Sequence, residues 1–229
     1  AKAYLASPAV VAYSALSGFI NYDMESDSDE ILGNIITNQE TLQSSKIELL
    51  DNFPKNISGE IIFCKQDNIN TDGIYPGKYT YNDEIKPEKQ AQVVMENYDI
   101  NFSSLAKNGD ILVAGFNFGT GSSREQAATA IKYKGIKLII AGSFNETYKR
   151  NAINNGLIVI ECEKLINDLK SFFPENILTI RTNLMCEVDF ENSKIKVNEK
   201  EYYFTPIGKP IQEIILNDGL ENWIKRKII

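Results

Sequence analysis

One stretch combines the residue types that small-acid chemistry needs: Gly119-Thr120-Gly121-Ser122-Ser123-Arg124-Glu125. It lies between an apolar run, Ile111-Leu112-Val113-Ala114, and a small-residue pattern of helical type, Gln126-Ala127-Ala128-Thr129-Ala130-Ile131. A strand, a glycine turn and a helix start therefore meet at two hydroxyls and a guanidinium. Free backbone N–H groups at a helix N-terminus carry partial positive charge and attract anions. A guanidinium adds a planar fork suited to a carboxylate or a phosphate. Three readings stand. The serines cap the helix while the glycines permit the turn; the turn binds phosphate; or it binds a carboxylate, with a serine as base or proton carrier. The stretch is neither a Walker A loop nor a G-x-G-x-x-G fingerprint. It is not a G-x-S-x-G elbow of a histidine-dependent triad either, because the chain has no histidine. Histidine is the usual acid–base group near neutral pH, so further proton-handling groups are expected from another domain or chain.

The elements that must position this turn follow from hydropathy patterning. Short apolar runs at 61–63, 110–114, 137–141 and 157–160 read as buried strands. Helical patterns at 87–97, 122–134, 145–155 and 164–172 alternate with them. The alternation predicts an α/β fold with a largely parallel central sheet flanked by helices. Segments 178–181, 185–190, 194–198 and 201–205 read as short strands, with a hairpin turn at Glu191-Asn192-Ser193. A final helical stretch over 210–226 carries Gly219, which breaks it in two.

At the other end, residues 1–20 read as a helix end, with Ser7 as N-cap, Pro8 in the first turn and Gly18 as a stop. One helix cannot bury its apolar face alone, so it belongs to a body outside this chain. Residues 21–56 read as a connector, because Asp23–Glu30 is acidic and polar; Ile31–Ile36 is an apolar patch within it. The globular part then runs from 57 to 229. The chain starts Ala1-Lys2-Ala3-Tyr4, without an initiator Met or a signal-peptide pattern, and reads as a piece of a longer polypeptide.

Composition narrows the partners. The net charge of −7 argues against nucleic acid. No apolar run approaches the ~20 residues of a membrane span. Cys64, Cys162 and Cys186 are far apart with no C-x-x-C pair, so no local zinc or cluster site is signalled and the thiols are expected to be buried.

The longer string Gly115-Phe116-Asn117-Phe118-Gly119-Thr120-Gly121-Ser122-Ser123-Arg124-Glu125-Gln126-Ala127 closely resembles the signature of the swivelling domain of the aconitase superfamily. Upstream, Asp67-Asn68-Ile69-Asn70-Thr71-Asp72-Gly73 resembles that family's N-T-D loop. Downstream, Gly142-Ser143-Phe144 through Asn151 to Asn155-Gly156-Leu157 resembles its S-F-x…N…G-L-L segment, and Tyr4–Ala12 resembles the end of its cluster-binding part. Within the family, Asp72–Tyr81 and Met95–Asp99 are most similar to the homoaconitase branch of fungal lysine synthesis, with isopropylmalate isomerase and aconitase as near alternatives.

The resemblance implies a hydro-lyase acting on a small tricarboxylic acid. Ser122 would take the proton alpha to a carboxylate, helped by the helix N-terminus and Arg124. Ser123 and Arg124 would hold a substrate carboxylate. Asp72 would face the partner domain and orient a histidine there; on its own residues, Asn70-Thr71-Asp72-Gly73 reads equally as an Asx turn. Lys78 and Tyr79 lie where the family varies its substrate loop, and a cation there would meet the distal carboxylate. The arginine that aconitase supplies from this region has no assigned equivalent here. The resemblance also implies a [4Fe–4S] cluster bound by preceding cluster-binding domains of the same polypeptide, and a mitochondrial matrix address.

Overall fold

The parallel strands form where β-branched and apolar residues run without interruption, because a strand covered on both faces has no polar side to show. The computed structural model describes residues 10–11, 14–15, 18–20, 46–80, 85–174 and 176–228. The readings that rest on Ser7, Pro8, the acidic run 23–30, the apolar patch 31–36 and Tyr81 lie outside the described residues. The chain divides into two compact units, Ala1–Thr41 and Leu42–Ile229. In the first, Val10, Val11, Ser14 and Ala15 are helical. Gly18 takes a left-handed φ of 77° and donates its N–H to Ser14 O at 2.9 Å, a helix stop that favours glycine.

The second unit is built on a seven-stranded sheet. Its strands are β1 (Asn56–Cys64), β2 (Ile111–Ala114), β3 (Leu138–Ala141), β4 (Ile158–Glu161), β5 (Thr179–Asp189), β6 (Lys194–Val197) and β7 (Lys200–Tyr203), in the spatial order β4-β3-β2-β1-β5-β6-β7. β4, β3, β2 and β1 are parallel; β5, β6 and β7 continue the same sheet as an antiparallel meander. The two segments read separately from the sequence at 178–181 and 185–190 form the single strand β5, which shifts register against β1 between Glu60 and Ile62.

Alternate residues of each parallel strand feed two cores. Ile62, Leu112 and Ile139 face α2 (Pro87–Val93), α4 (Gln126–Tyr133) and α5 (Glu146–Asn154), with a short α1 (Thr71–Ile74) and α3 (Phe102–Leu105) at the margins. Ile61, Phe63, Val113 and Ile140 face α6 (Glu163–Phe172) and the meander. The last helical stretch is α7 (Lys209–Leu216) and α8 (Leu220–Ile228), separated at Gly219, whose φ is 125°.

Residues 46–56 belong to this second unit. Ile47 N–H donates to Glu191 O (2.9 Å), and Phe53 packs edge-on against Phe190. Leu50 N–H donates to Oε1 of the fully buried Gln212, whose Nε2 donates to Ile207 O, both at 2.8 Å. A buried glutamine with both ends satisfied thus fastens the segment to α7. The three thiols are free and buried, Cys64 in one core and Cys162 and Cys186 in the other. No helix among the described residues is long and apolar enough to cross a membrane.

Candidate active site

The site forms where β1, β2 and β3 end. Three loops leave these strands side by side and go on exchanging backbone bonds. Asn68 N–H donates to Phe116 O, Gly119 N–H to Ile69 O and Thr71 N–H to Thr120 O, each at 2.8 Å. On the far side, Phe118 N–H donates to Ser143 O (3.0 Å) and Asn145 N–H to Phe118 O (2.9 Å). Turning while keeping these rungs needs left-handed backbone at Asn68, Asn117, Gly119 and Gly121. Asn and Gly adopt that region at least cost. The open end of a parallel sheet is where α/β folds gather ligand-binding loops.

Ser122 and Ser123 project from this ladder as exposed residues. The helix expected to start at Ser122 starts instead at Gln126, with Glu125 as its cap and no side-chain capping bond. The serines do not cap because the turn holds them otherwise. Ser123 Oγ accepts from Asn151 Nδ2 at 3.1 Å, and Arg124 is pinned by an ion pair. The helix N-terminus is therefore not the group beside Ser122. Among the described residues nothing bonds Ser122 Oγ.

Arg124 Nη1 donates to Asp72 Oδ1 at 2.7 Å and to Tyr75 O at 3.1 Å. Asp72 also accepts from Gly77 N–H (2.9 Å) and from Asn97 Nδ2 (2.9 Å). The Arg124 guanidinium, then the Gly77 N–H, hold the Asp72 carboxyl below its ordinary value of 3.8. Because the folded value is the lower one, the pair's contribution is complete above the unfolded value. It is lost only as pH falls through the folded one. Nη2 and Nε carry no hydrogen bond among the described residues, and the Arg124 side chain is 20% exposed. Asp72, about half exposed, thus anchors Arg124 within this chain.

Lys78 and Tyr79 sit on a 3₁₀ turn, Gly77–Tyr79. Lys78 Nζ pairs with Glu96 Oε1 and lies 4.9 Å from the Tyr79 ring centre; Tyr79 OH donates to Glu96 Oε2 at 3.2 Å. The Glu96 hydrogen bond raises the Lys78 value and lowers that of Glu96. Glu96 and Asn97 were not picked out as site residues. They arrive because the helix over 87–97 stops at Val93: Met95 turns left-handed (φ 61°) and donates its N–H to Ile74 O at 2.7 Å. A cleft of about 400 Å³ is lined by Glu125, Asn155 and Asp218 and does not include Ser122, Ser123 or Arg124. Ser122 and Ser123 are exposed.

The Aconitase C-terminal domain family model matches residues 31–165, more than half of the chain. The chain belongs to that family. It is 48% identical over 254 aligned residues to the mitochondrial homoaconitase of Candida glabrata and 45% identical over 247 to that of Debaryomyces hansenii. Both alignments cover all of this chain but only 37% and 36% of those proteins. The chain thus spans little more than a third of the length of these curated relatives. Among solved structures it is similar to a 3-isopropylmalate dehydratase from Methanocaldococcus jannaschii, with 36% identity and a TM-score of 0.65. That match covers 76% of this chain and 95% of that one. The aconitase C-terminal domain is thus a mixed α/β body here, and the ladder of three loops falls within the matched region.

Among the described residues, no group of three or more His, Cys, Asp or Glu side chains is placed to hold a metal. The three cysteines are buried in two different cores. The described residues therefore do not fit an iron–sulfur cluster.

Proposed function

We propose that this chain is the C-terminal domain of a homoaconitase-like hydro-lyase interconverting homoisocitrate and cis-homoaconitate, and that it brings a serine base and a carboxylate clamp to the substrate. The observation that carries this reading is the cluster of Ser122, Ser123 and Arg124 on one turn, the two serines exposed and the partly buried arginine anchored through Nη1 on Asp72. Ser122 Oγ takes the proton from the carbon alpha to a carboxylate. Ser123 and Arg124 hold that carboxylate so the proton faces Ser122. Asp72 fixes the guanidinium, and the Lys78–Tyr79–Glu96 group borders the distal end of the acid. Residues 1–20 and the stretch that follows would tie the domain to the preceding part of the polypeptide, which would carry the [4Fe–4S] cluster. The names of the relatives support a mitochondrial setting.

Two measurements on the complete enzyme test this. The first compares kcat/KM for cis-homoaconitate, cis-aconitate and isopropylmaleate; a clear preference for cis-homoaconitate is expected. Preference for isopropylmaleate would transfer the domain to the isopropylmalate branch that the archaeal structure represents, with the serine chemistry retained. No turnover of any of the three would abandon the hydro-lyase reading. The second replaces Asp72 by Asn. Loss of a charge-assisted bond to Arg124 should raise KM roughly tenfold with a smaller change in kcat, as expected for an interaction made equally in ground and transition states. An unchanged KM would remove Asp72 from the clamp.

A further inference from the structure

One stripe of α5 reads the catalytic turn from beneath. Asn145, Tyr148 and Asn151 follow one another at intervals of three, the spacing that puts side chains on one helix face. At the start of the stripe Asn145 caps the helix through its side chain, accepting from Thr147 N–H, and its own N–H donates to Phe118 O. The buried Tyr148 ring lies against Gly119 and meets Phe118 edge-on, with centroids 5.2 Å apart. At the end, Asn151 Nδ2 donates to Ser123 Oγ at 3.1 Å. The contacts thus advance along the turn as the stripe advances along the helix.

We infer that Asn151 is a positioning residue that sets the direction of the Ser123 hydroxyl. A serine oxygen has one hydrogen to give and two lone pairs. When the Asn151 amide occupies a lone pair, the O–H is left to point away from the helix, on a turn where Ser122 and Ser123 are both exposed. Hydroxyl donation to a carboxylate is a charge-assisted bond, among the stronger ones available. Without the amide, the hydroxyl turns back into its own loop or to water. This inference rests on the reading of Ser123 as a carboxylate ligand.

The test is a double-mutant cycle in the complete enzyme, using whichever acid it turns over best. Asn151→Ala should raise KM about tenfold with kcat nearly unchanged, because the carboxylate bond persists into the transition state. In a Ser123→Ala background the same substitution should change KM less than about twofold. An equal factor in both backgrounds would make Asn151 a purely structural residue and overturn the inference. A Ser123→Ala variant with unaltered kinetics would instead remove Ser123 as a ligand, and the inference with it. Thermal melting accompanies each variant. If Asn151→Ala melts early, Asn151→Asp takes its place in the cycle: it keeps the shape but offers no N–H, and it should show the same dependence on Ser123.

Discussion

Replacing Ser122 by alanine in the complete enzyme lowers kcat about 10³-fold, the scale of a lost general base, while KM stays within about threefold. The expectation comes from the surroundings of Ser122. Its hydroxyl is exposed, bonded to nothing among the described residues, and carried between two glycine-permitted bends and the anchored Arg124. A structural serine would be buried or would cap the helix; this one does neither, since the helix starts at Gln126. On the proposed reading, substrate binding is left to Ser123 and Arg124, so the loss should fall on kcat. Steady-state kinetics of the purified variant, with its cluster content matched to wild type, decides the matter. A kcat within tenfold of wild type would assign the proton to another group.

Replacing Gly119 by alanine unfolds the domain more readily, by about 3–5 kcal/mol, from overpacking added to left-handed backbone strain. The added Cβ would sit 2.1 Å from Tyr148 Cγ and 2.4 Å from its Cβ. Tyr148 cannot retreat, because Phe118 and Phe144 pack on its ring and the residue is 1% exposed. The φ of 80° adds its own cost. Gly121→Ala is the internal control: its φ is 100°, but the nearest atom to an added Cβ is Thr71 Oγ1 at 3.4 Å. Backbone strain alone, about 1–2 kcal/mol, should remain there. Urea unfolding of this chain should give a midpoint lowered by more than about 1 M for Gly119→Ala and clearly less for Gly121→Ala. Equal shifts would mean that Tyr148 yields.

The parallel half of the sheet was legible because its strands are apolar on both faces, so 110–114, 137–141 and 157–160 stood out against the polar loops. The antiparallel half was harder. β5 alternates between covered and open faces, and Asn183, with a φ of 57°, interrupts it, so one strand read as two. α1 and α3 have four residues each, too few for a period to register. At the turn, residue types pointed to acid chemistry, but the pattern could not supply the partners. The Asp72–Arg124 pair spans 52 residues of sequence and exists only because two loops run side by side. The bond from Asn151 to Ser123 spans 28. The spacing of Asn145, Tyr148 and Asn151 was present in the sequence all along. It carries meaning only once the helix lies under the turn.

The buried thiols have a consequence for redox chemistry. Thiolate, not thiol, is the species that oxidants and alkylating agents attack. Burial pushes the thiols of Cys64 and Cys162 up and that of Cys186 to about 12. At neutral pH these thiols stay protonated. In the folded domain these three sulfurs are therefore poor targets for oxidants and alkylating agents.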